Sequence, residues 1–298
     1  MRRLNDRTRW FYIALFAGLI LGLGGTAAGV ILLDESGRAN DRAGRILATV
    51  FVGMSYAWWM SKHTRHHANP NRMGTDPDLE AGAIAPTREG LAGSSRLRLW
   101  VSTRQGYFFF PLLLLFGLNL HLDSVRALLS RQRVKGRWLE LALLVLRFGA
   151  YLTILFLILP LGLAFAFLGV QLAVFGLYTG AAFAPNHIGM PILPRQGKLD
   201  FLTKQVRTSR NVSGGWWASA FMGGLNYQIE HHLFPSMPRP HLRAARMLVR
   251  EHCRSNDIPY VEASLLSSYR TVIAYLNRVG LAARDPFDCP LAGQLRAR

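Results

Sequence analysis

From Leu139 to Ala184 the chain is almost continuously apolar, interrupted chiefly by Glu140, Arg147 and Gln171. A helix needs about 20 residues to cross the hydrocarbon of a bilayer, so the run has room for two crossings. Pro160 with Gly162 supplies the break between them. In lipid every backbone polar group needs an internal partner, and apolar runs of this length imply helices. The fold class read here is an all-α integral membrane protein. Composition agrees: half of the 298 residues are hydrophobic and 17% are charged, against about 25% in an ordinary soluble domain.

The net charge of +18 does not point to nucleic acid, because the basic residues cluster beside apolar spans. Arg131, Arg133, Lys135 and Arg137 precede the long run, and Arg195, Lys198, Lys204 and Arg207 follow it. Lysine and arginine mark cytoplasmic flanks. The run is therefore a hairpin with both ends cytoplasmic, its bend near Pro160 reaching the far side. Anionic lipid headgroups would attract the same loops. The two cysteines, Cys253 and Cys289, fall in a cytoplasmic tail and imply no disulfide framework.

The rest is organised around that hairpin as a single membrane domain over residues 1–298. Met1 to Arg9 is a basic cytoplasmic start, and Trp10 to Leu33 is long enough to remain as a span. Spans are expected at about 10–33, 139–159 and 161–183. Ile46 to Met60 is apolar but short for a crossing. Tyr107 to Leu122 reads as an interfacial or re-entrant helix, with basic residues on both sides. The tail, about 240–298, holds two amphipathic helices. Leu242, Ala245, Leu248 and Val249 share a face of the first, and Leu265, Tyr269, Val272 and Leu276 a face of the second. One conflict remains. A single exit through Trp10 to Leu33 places Arg38, Arg42 and Arg45 outside, against the charge rule, so a span is missing.

Three of the nine histidines fall in "KHTRHHANPN", as His63, His66 and His67. On a helix, positions i, i+3 and i+4 share one face, so the imidazoles can converge. A second pattern lies in "GGLNYQIEHHLFPSMPRP", where His231 and His232 follow Gln228 by three and four positions. His187, in "APNHIGMP", emerges on the same side of the hairpin. A lone histidine pair is more often a packing feature, but two clusters with matching facial spacing indicate metal. Structural zinc usually recruits cysteine, and none lies near either cluster. Imidazoles without thiolates favour iron with open positions for oxygen. The histidines thus line a cytoplasmic helical cap on the transmembrane bundle and form a di-iron, oxygen-activating site for an apolar substrate. Asp76 and Asp78 cap the following loop or bond the ligands. Trp58, Trp59, Trp216 and Trp217 suit a membrane interface, and Arg147 pairs, snorkels or faces the bundle interior.

"KHTRHHANPN" with "GTDPDL", "APNHIGMP" and "GGLNYQIEHHLFPSMPR" resemble the membrane fatty acid desaturases, and the Q-x-x-H-H form is similar to the bacterial linoleoyl-CoA-type and front-end branch. The likeness runs from about Gly37 onward. It implies two iron ions, filled or incompletely filled, and O2 as cosubstrate. A double bond is inserted into a fatty acyl chain carried as acyl-CoA or acyl-lipid. Electrons come from a separate donor, a ferredoxin, a cytochrome b5-like protein or a flavin reductase. His63, His66 and His67 match the second histidine box, His231 and His232 the third, and His187 an additional ligand. Gln228 and Asn186 fall to direct or supporting contact with metal. No residue beyond the metal centre is implied as catalytic. The location implied is a bacterial plasma membrane, with both termini and the histidines cytoplasmic. No H-P-G-G haem motif is present.

The first box of that family, H-D-x-G-H or similar, is not found before "SGRANDRAGR". A gapless extension places Thr26 and Val30 where its histidines belong; the preferred reading is that a segment with the second span and first box is absent around Glu35 to Gly37. Three functions stay open: a desaturase with impaired activity, a catalytically inactive relative that binds acyl chains or an intact desaturase, and a di-iron lipid hydroxylase.

Overall fold

The computed structural model describes residues 38–131 and 133–283. The expected span at 10–33, the Thr26 and Val30 positions, Cys289 and the end of the tail lie outside the described residues. Three helices are long and apolar enough to cross a membrane: Gln105–Leu129, Arg137–Ile158 and Leu161–His187. In chain order the helices are α1 (Arg38–Ile46), α2 (Tyr56–Ala68), α3 (Arg96–Ser102), α4 (Gln105–Leu129), α5 (Arg137–Ile158), α6 (Leu161–His187), α7 (Phe201–Thr208), α8 (Gly215–Phe221), α9 (Gln228–Leu233), α10 (Arg239–Ser255) and α11 (Leu265–Ala282). Two short strands, β1 (Asn211–Ser213) and β2 (Glu262–Ser264), pair in parallel, Asn211 opposite Glu262. The chain forms two compact units.

The first unit contains the described residues up to Thr64, Leu113–Ala181 and Phe234–Arg243. The break between α5 and α6 falls at Leu159, whose φ of −105° and ψ of 142° are those a following proline imposes. Glycines let α4 and α6 touch backbone to backbone. A Cβ on Gly176 would stand 2.3 Å from the Leu113 carbonyl oxygen, and one on Gly117 would stand 2.4 Å from that of Leu172. Small residues permit this approach in bundles that lipid cannot drive together.

Glu140, an interruption in the apolar run, is fully buried. It pairs with Arg45 at 3.1 Å and accepts from the Ser55 hydroxyl and the Ala57 N–H. Arg45 also lies against Gly136, where a Cβ would meet its guanidinium at 2.3 Å. Arg45 therefore sits at the end of α5 that carries the basic 131–137 loop. A buried carboxylate in the first turn of α5 holds it there.

Two segment readings also change. Ile46 to Met60 is not one apolar element. It comprises the end of α1, a π-helical turn over Leu47–Val52, a left-handed Gly53 (φ +87°) and the start of α2. The 107–122 run is embedded in a helix of 25 residues, whose C-terminal turns carry side-chain bonds from Asn119 and Arg126 to Asp123. Shortness no longer argues against a crossing.

The second unit contains Arg65–Leu112, Ala182–Leu233 and the described residues from Ala244 on. One core cluster joins Val206 of α7, Ile229 and Leu233 of α9, and Val249 and Cys253 of α10. Another joins Ala85, Leu91 and Val279. Helix α10 thus shares a core with histidine-bearing α9. On α10 the buried face is Leu242, Ala245, Val249 and Cys253, while Leu248 is 76% exposed. Its expected place on that face is corrected, since it stands about 120° from Leu242 around the helix. On α11, Val272 and Leu276 are buried, with Leu265 and Tyr269 half-buried. Gly280 allows α11 to meet the Ser102 carbonyl, which a Cβ would approach to 1.9 Å. Trp216 and Trp217 of α8 are exposed.

Candidate metal centre

Helix α2 carries His66 and His67 inward on adjacent faces, α6 ends on His187, and α9 carries His231 and His232. Tertiary packing in the second unit gathers these five imidazoles. The His66 and His187 Nε2 atoms are 3.3 Å apart. Ring centres of His187 and His232 are 4.7 Å apart, and those of His66 and His232 are 5.1 Å apart. His67 stacks on His232 at 4.2 Å and meets His231 edge-on at 4.6 Å. His66, His187 and His232 each offer a nitrogen, and these nitrogens lie within 4.8 Å of one another. His63 stands one turn before His67 on α2, stacked on Trp59 at 5.7 Å.

The other ring nitrogens explain why these three converge. His66 Nδ1 is 3.0 Å from Asp76 Oδ1, His187 Nδ1 is 3.0 Å from the Thr208 carbonyl, and His232 Nδ1 is 3.1 Å from Gln205 Oε1. A carboxylate and a carbonyl only accept. Gln205 Nε2 donates to the His67 carbonyl, which leaves its oxygen to accept from His232. Each Nδ1 therefore carries the proton, and each Nε2 presents a lone pair, the tautomer that holds a metal.

Burial and charge both fit the donor set to a metal ion. His232 is 1% exposed, and its Nε2 has no hydrogen-bond partner. Leaving such an atom unsatisfied costs about 1–3 kcal/mol, which a bound cation would offset. Burial, followed by the neighbouring His67, His187 and His66 imidazoles, holds the His232 ring well below its usual titration range. A neutral imidazole ligates; a protonated one does not. The set is nitrogen and carboxylate without thiolate, since Cys253 is buried in the apolar core, and this suits iron among the first-row metals.

Asp76 both caps its loop, accepting from the Asn71 and Asp78 N–H groups, and orients His66. Asp78 stands 3.4 Å from His66 Nδ1. Gln228 presents its amide nitrogen to His187 Nε2 at 2.9 Å while its oxygen accepts from Asn186 Nδ2. That bond takes up the His187 Nε2 lone pair, so the Gln228 amide has to turn aside for an ion to bind there; fully buried Asn186 fixes which way it points.

Sequence reading missed Gln205, Thr208, Arg210 and the supports of α9. Buried Arg210 donates to the Pro185 and Ile188 carbonyls, closing the C-terminal turn of α6 that ends at His187. Burial draws its guanidinium down to about 10. Glu230 accepts from Asn211 Nδ2 and the Tyr260 hydroxyl, and Asn211 Oδ1 accepts the Ile229 N–H. Burial pushes the Glu230 carboxyl up despite these bonds. Only the buried Glu between Gln228 and His231 hinted at this in the sequence.

The family model for fatty acid desaturases matches residues 8–264. A Delta(8)-fatty-acid desaturase of Helianthus annuus is 30% identical, the match covering 92% of this chain and 64% of the relative. An acyl-lipid (9-3)-desaturase of Borago officinalis is 30% identical over 92% and 65%, and an acyl-lipid (8-3)-desaturase of Thraustochytrium is 30% identical over 86% and 58%. The chain thus spans less than two thirds of the length of these relatives. No solved structure matches it. Because the family match takes in every histidine gathered here, the chain belongs to the fatty acid desaturase family.

Proposed function

We propose that the chain is a fatty acyl desaturase built on a histidine-held pair of iron ions, working at the cytoplasmic surface of a membrane. The observation that carries this is the convergence of three Nε2 lone pairs whose Nδ1 protons are each held by a separate acceptor. His66, His187 and His232 would hold one ion, and His67 and His231, with His63, would serve the other. Iron in that site would supply the activation of O2, which with two electrons from a separate donor and two protons takes two hydrogens from adjacent methylenes and leaves as two waters. Asp76, Thr208 and Gln205 accept the Nδ1 protons and aim the imidazoles. Arg210 fixes the end of α6, and Glu230 with Asn211 fixes α9. The names of these relatives support an acyl-lipid substrate, with acyl-CoA the other carrier to compare.

The basic flanks of the α5–α6 hairpin support a cytoplasmic placement. Metal analysis of the purified chain, with fatty acid profiling in a host that provides an electron donor, tests the proposal. Stoichiometric iron and a new double bond support it; absence of both from well-folded protein rejects it. Thr26 and Val30 at the first-box positions favour a second reading, a relative that binds acyl chains without desaturating them. That reading is distinguished by acyl binding without product.

A further inference from the structure

Within the first unit, α4, α5, α6 and the π-helical turn line a partly open cavity of about 70 Å³ whose polar lining comprises His121, Arg147, Tyr151, Gln171 and Tyr178. It uses none of the residues of the histidine centre. Arg147 lies ten residues into α5, about 15 Å along the helix, or half of a hydrocarbon layer of about 30 Å. Arginine at such a position normally snorkels toward the nearer interface. Here its guanidinium instead lies over the Tyr151 ring, one turn further in, at 4.5 Å, and over Phe148 at 5.0 Å.

Five N–H donors are held at that depth. Among the described residues the hydrogen bond recorded for them is a long one, 3.4 Å to the Phe51 carbonyl, and no carboxylate pairs with the group. Tyr151 donates its hydroxyl to Gln171 Oε1, which leaves the Gln171 amide nitrogen as a further donor on the cavity wall. His121 is turned by its Nδ1 bond to the Gly53 carbonyl and stacks on Phe175. The lining is thus rich in donors, carries one fixed positive charge and is walled by aromatic and aliphatic side chains. An ionisable side chain kept inside a membrane calls for a partner, and the partner complementary to this site is an anion on an apolar stem.

We propose that this cavity binds the carboxylate of a free long-chain fatty acid, with Arg147 as its counter-ion and Gln171 as a second donor. The apolar stem would leave between the helices into lipid.

The test uses the full chain in phosphatidylcholine nanodiscs, with melting temperature and native mass spectrometry as readouts. Oleate should raise the melting temperature by several degrees and be retained in the mass spectrum. Oleyl alcohol and oleylamine, with the same tail, should do neither. Arg147→Gln should remove the oleate response, whereas Arg137→Gln, at the start of the same helix, should keep it. An equal response in Arg147→Gln, or a match between oleyl alcohol and oleate, overturns the proposal. So does stabilisation by phosphatidylglycerol but not oleate, which would assign the cavity to a phosphate headgroup. Should Arg147→Gln fail to fold, the wild-type mass spectra decide: no oleate retained above oleyl alcohol rejects the site.

Discussion

Residues that touch no metal ligand in sequence control the histidine centre in space. His66, His67, His231 and His232 were legible because facial spacing on a helix survives in a bare sequence. Their hydrogen-bond partners were not, because Gln205, Thr208 and Arg210 lie in a polar stretch with no pattern and reach His232, His187 and the end of α6 only after folding. Three predictions belong here. Asp76→Ala should weaken metal binding by about 10- to 100-fold, the usual effect of removing a partner that orients a ligand, and His232→Ala should weaken it further. Titration with Co2+, followed by its visible spectrum, measures both. Gln205→Leu should have an effect comparable to Asp76→Ala, since it removes the acceptor of the His232 proton. Unchanged affinity in Gln205→Leu would mean that packing alone aims the His232 ring.

At the scale of elements, the hairpin was legible because a proline between two apolar runs sets its own and the preceding residue's backbone. The glycine contacts and the Glu140 pair were not legible, since periodicity does not say which glycines face another helix. Gly176→Leu should separate α4 from α6, because its Cβ would collide with the Leu113 carbonyl oxygen and the Gly117 nitrogen, neither of which can rotate away. A cost of about 1–3 kcal/mol or more is expected for such overpacking, read as a lower melting temperature. Glu140→Ala should cost about 3–5 kcal/mol, the usual range for breaking a buried ion pair from one side, because Arg45, Ser55 and the Ala57 N–H lose a shared acceptor. Gly149→Ala, where a Cβ meets nothing within 4 Å, serves as the neutral control in the same membrane helix.

For the molecule as a whole, the proposed activity would depend on how many imidazoles reach the metal. The unmodified chain should desaturate poorly, because Thr26 and Val30 cannot replace first-box histidines and a displacement of about 1 Å can cost about a hundredfold in rate. Inserting a span that ends in H-D-A-G-H between Glu35 and Gly37 should raise product in fatty acid profiles, and Thr26→His with Val30→His should raise it less. Robust desaturation by the unmodified chain would show that other residues complete the centre. Membrane character, the hairpin and the histidine clusters could be read without coordinates, because hydrophobic length, proline geometry and helical spacing are local properties. Three features required the folded chain: the side of α5 on which Arg45 lies, the proton on each Nδ1 and the depth at which Arg147 is held. Each is decided by a partner distant in sequence, Glu140 for Arg45, Asp76, Thr208 and Gln205 for the histidines, and the aromatic walls between α4, α5 and α6 for Arg147. Burial makes those partners decisive, because a charge or ring proton removed from water must find its counterpart within the protein.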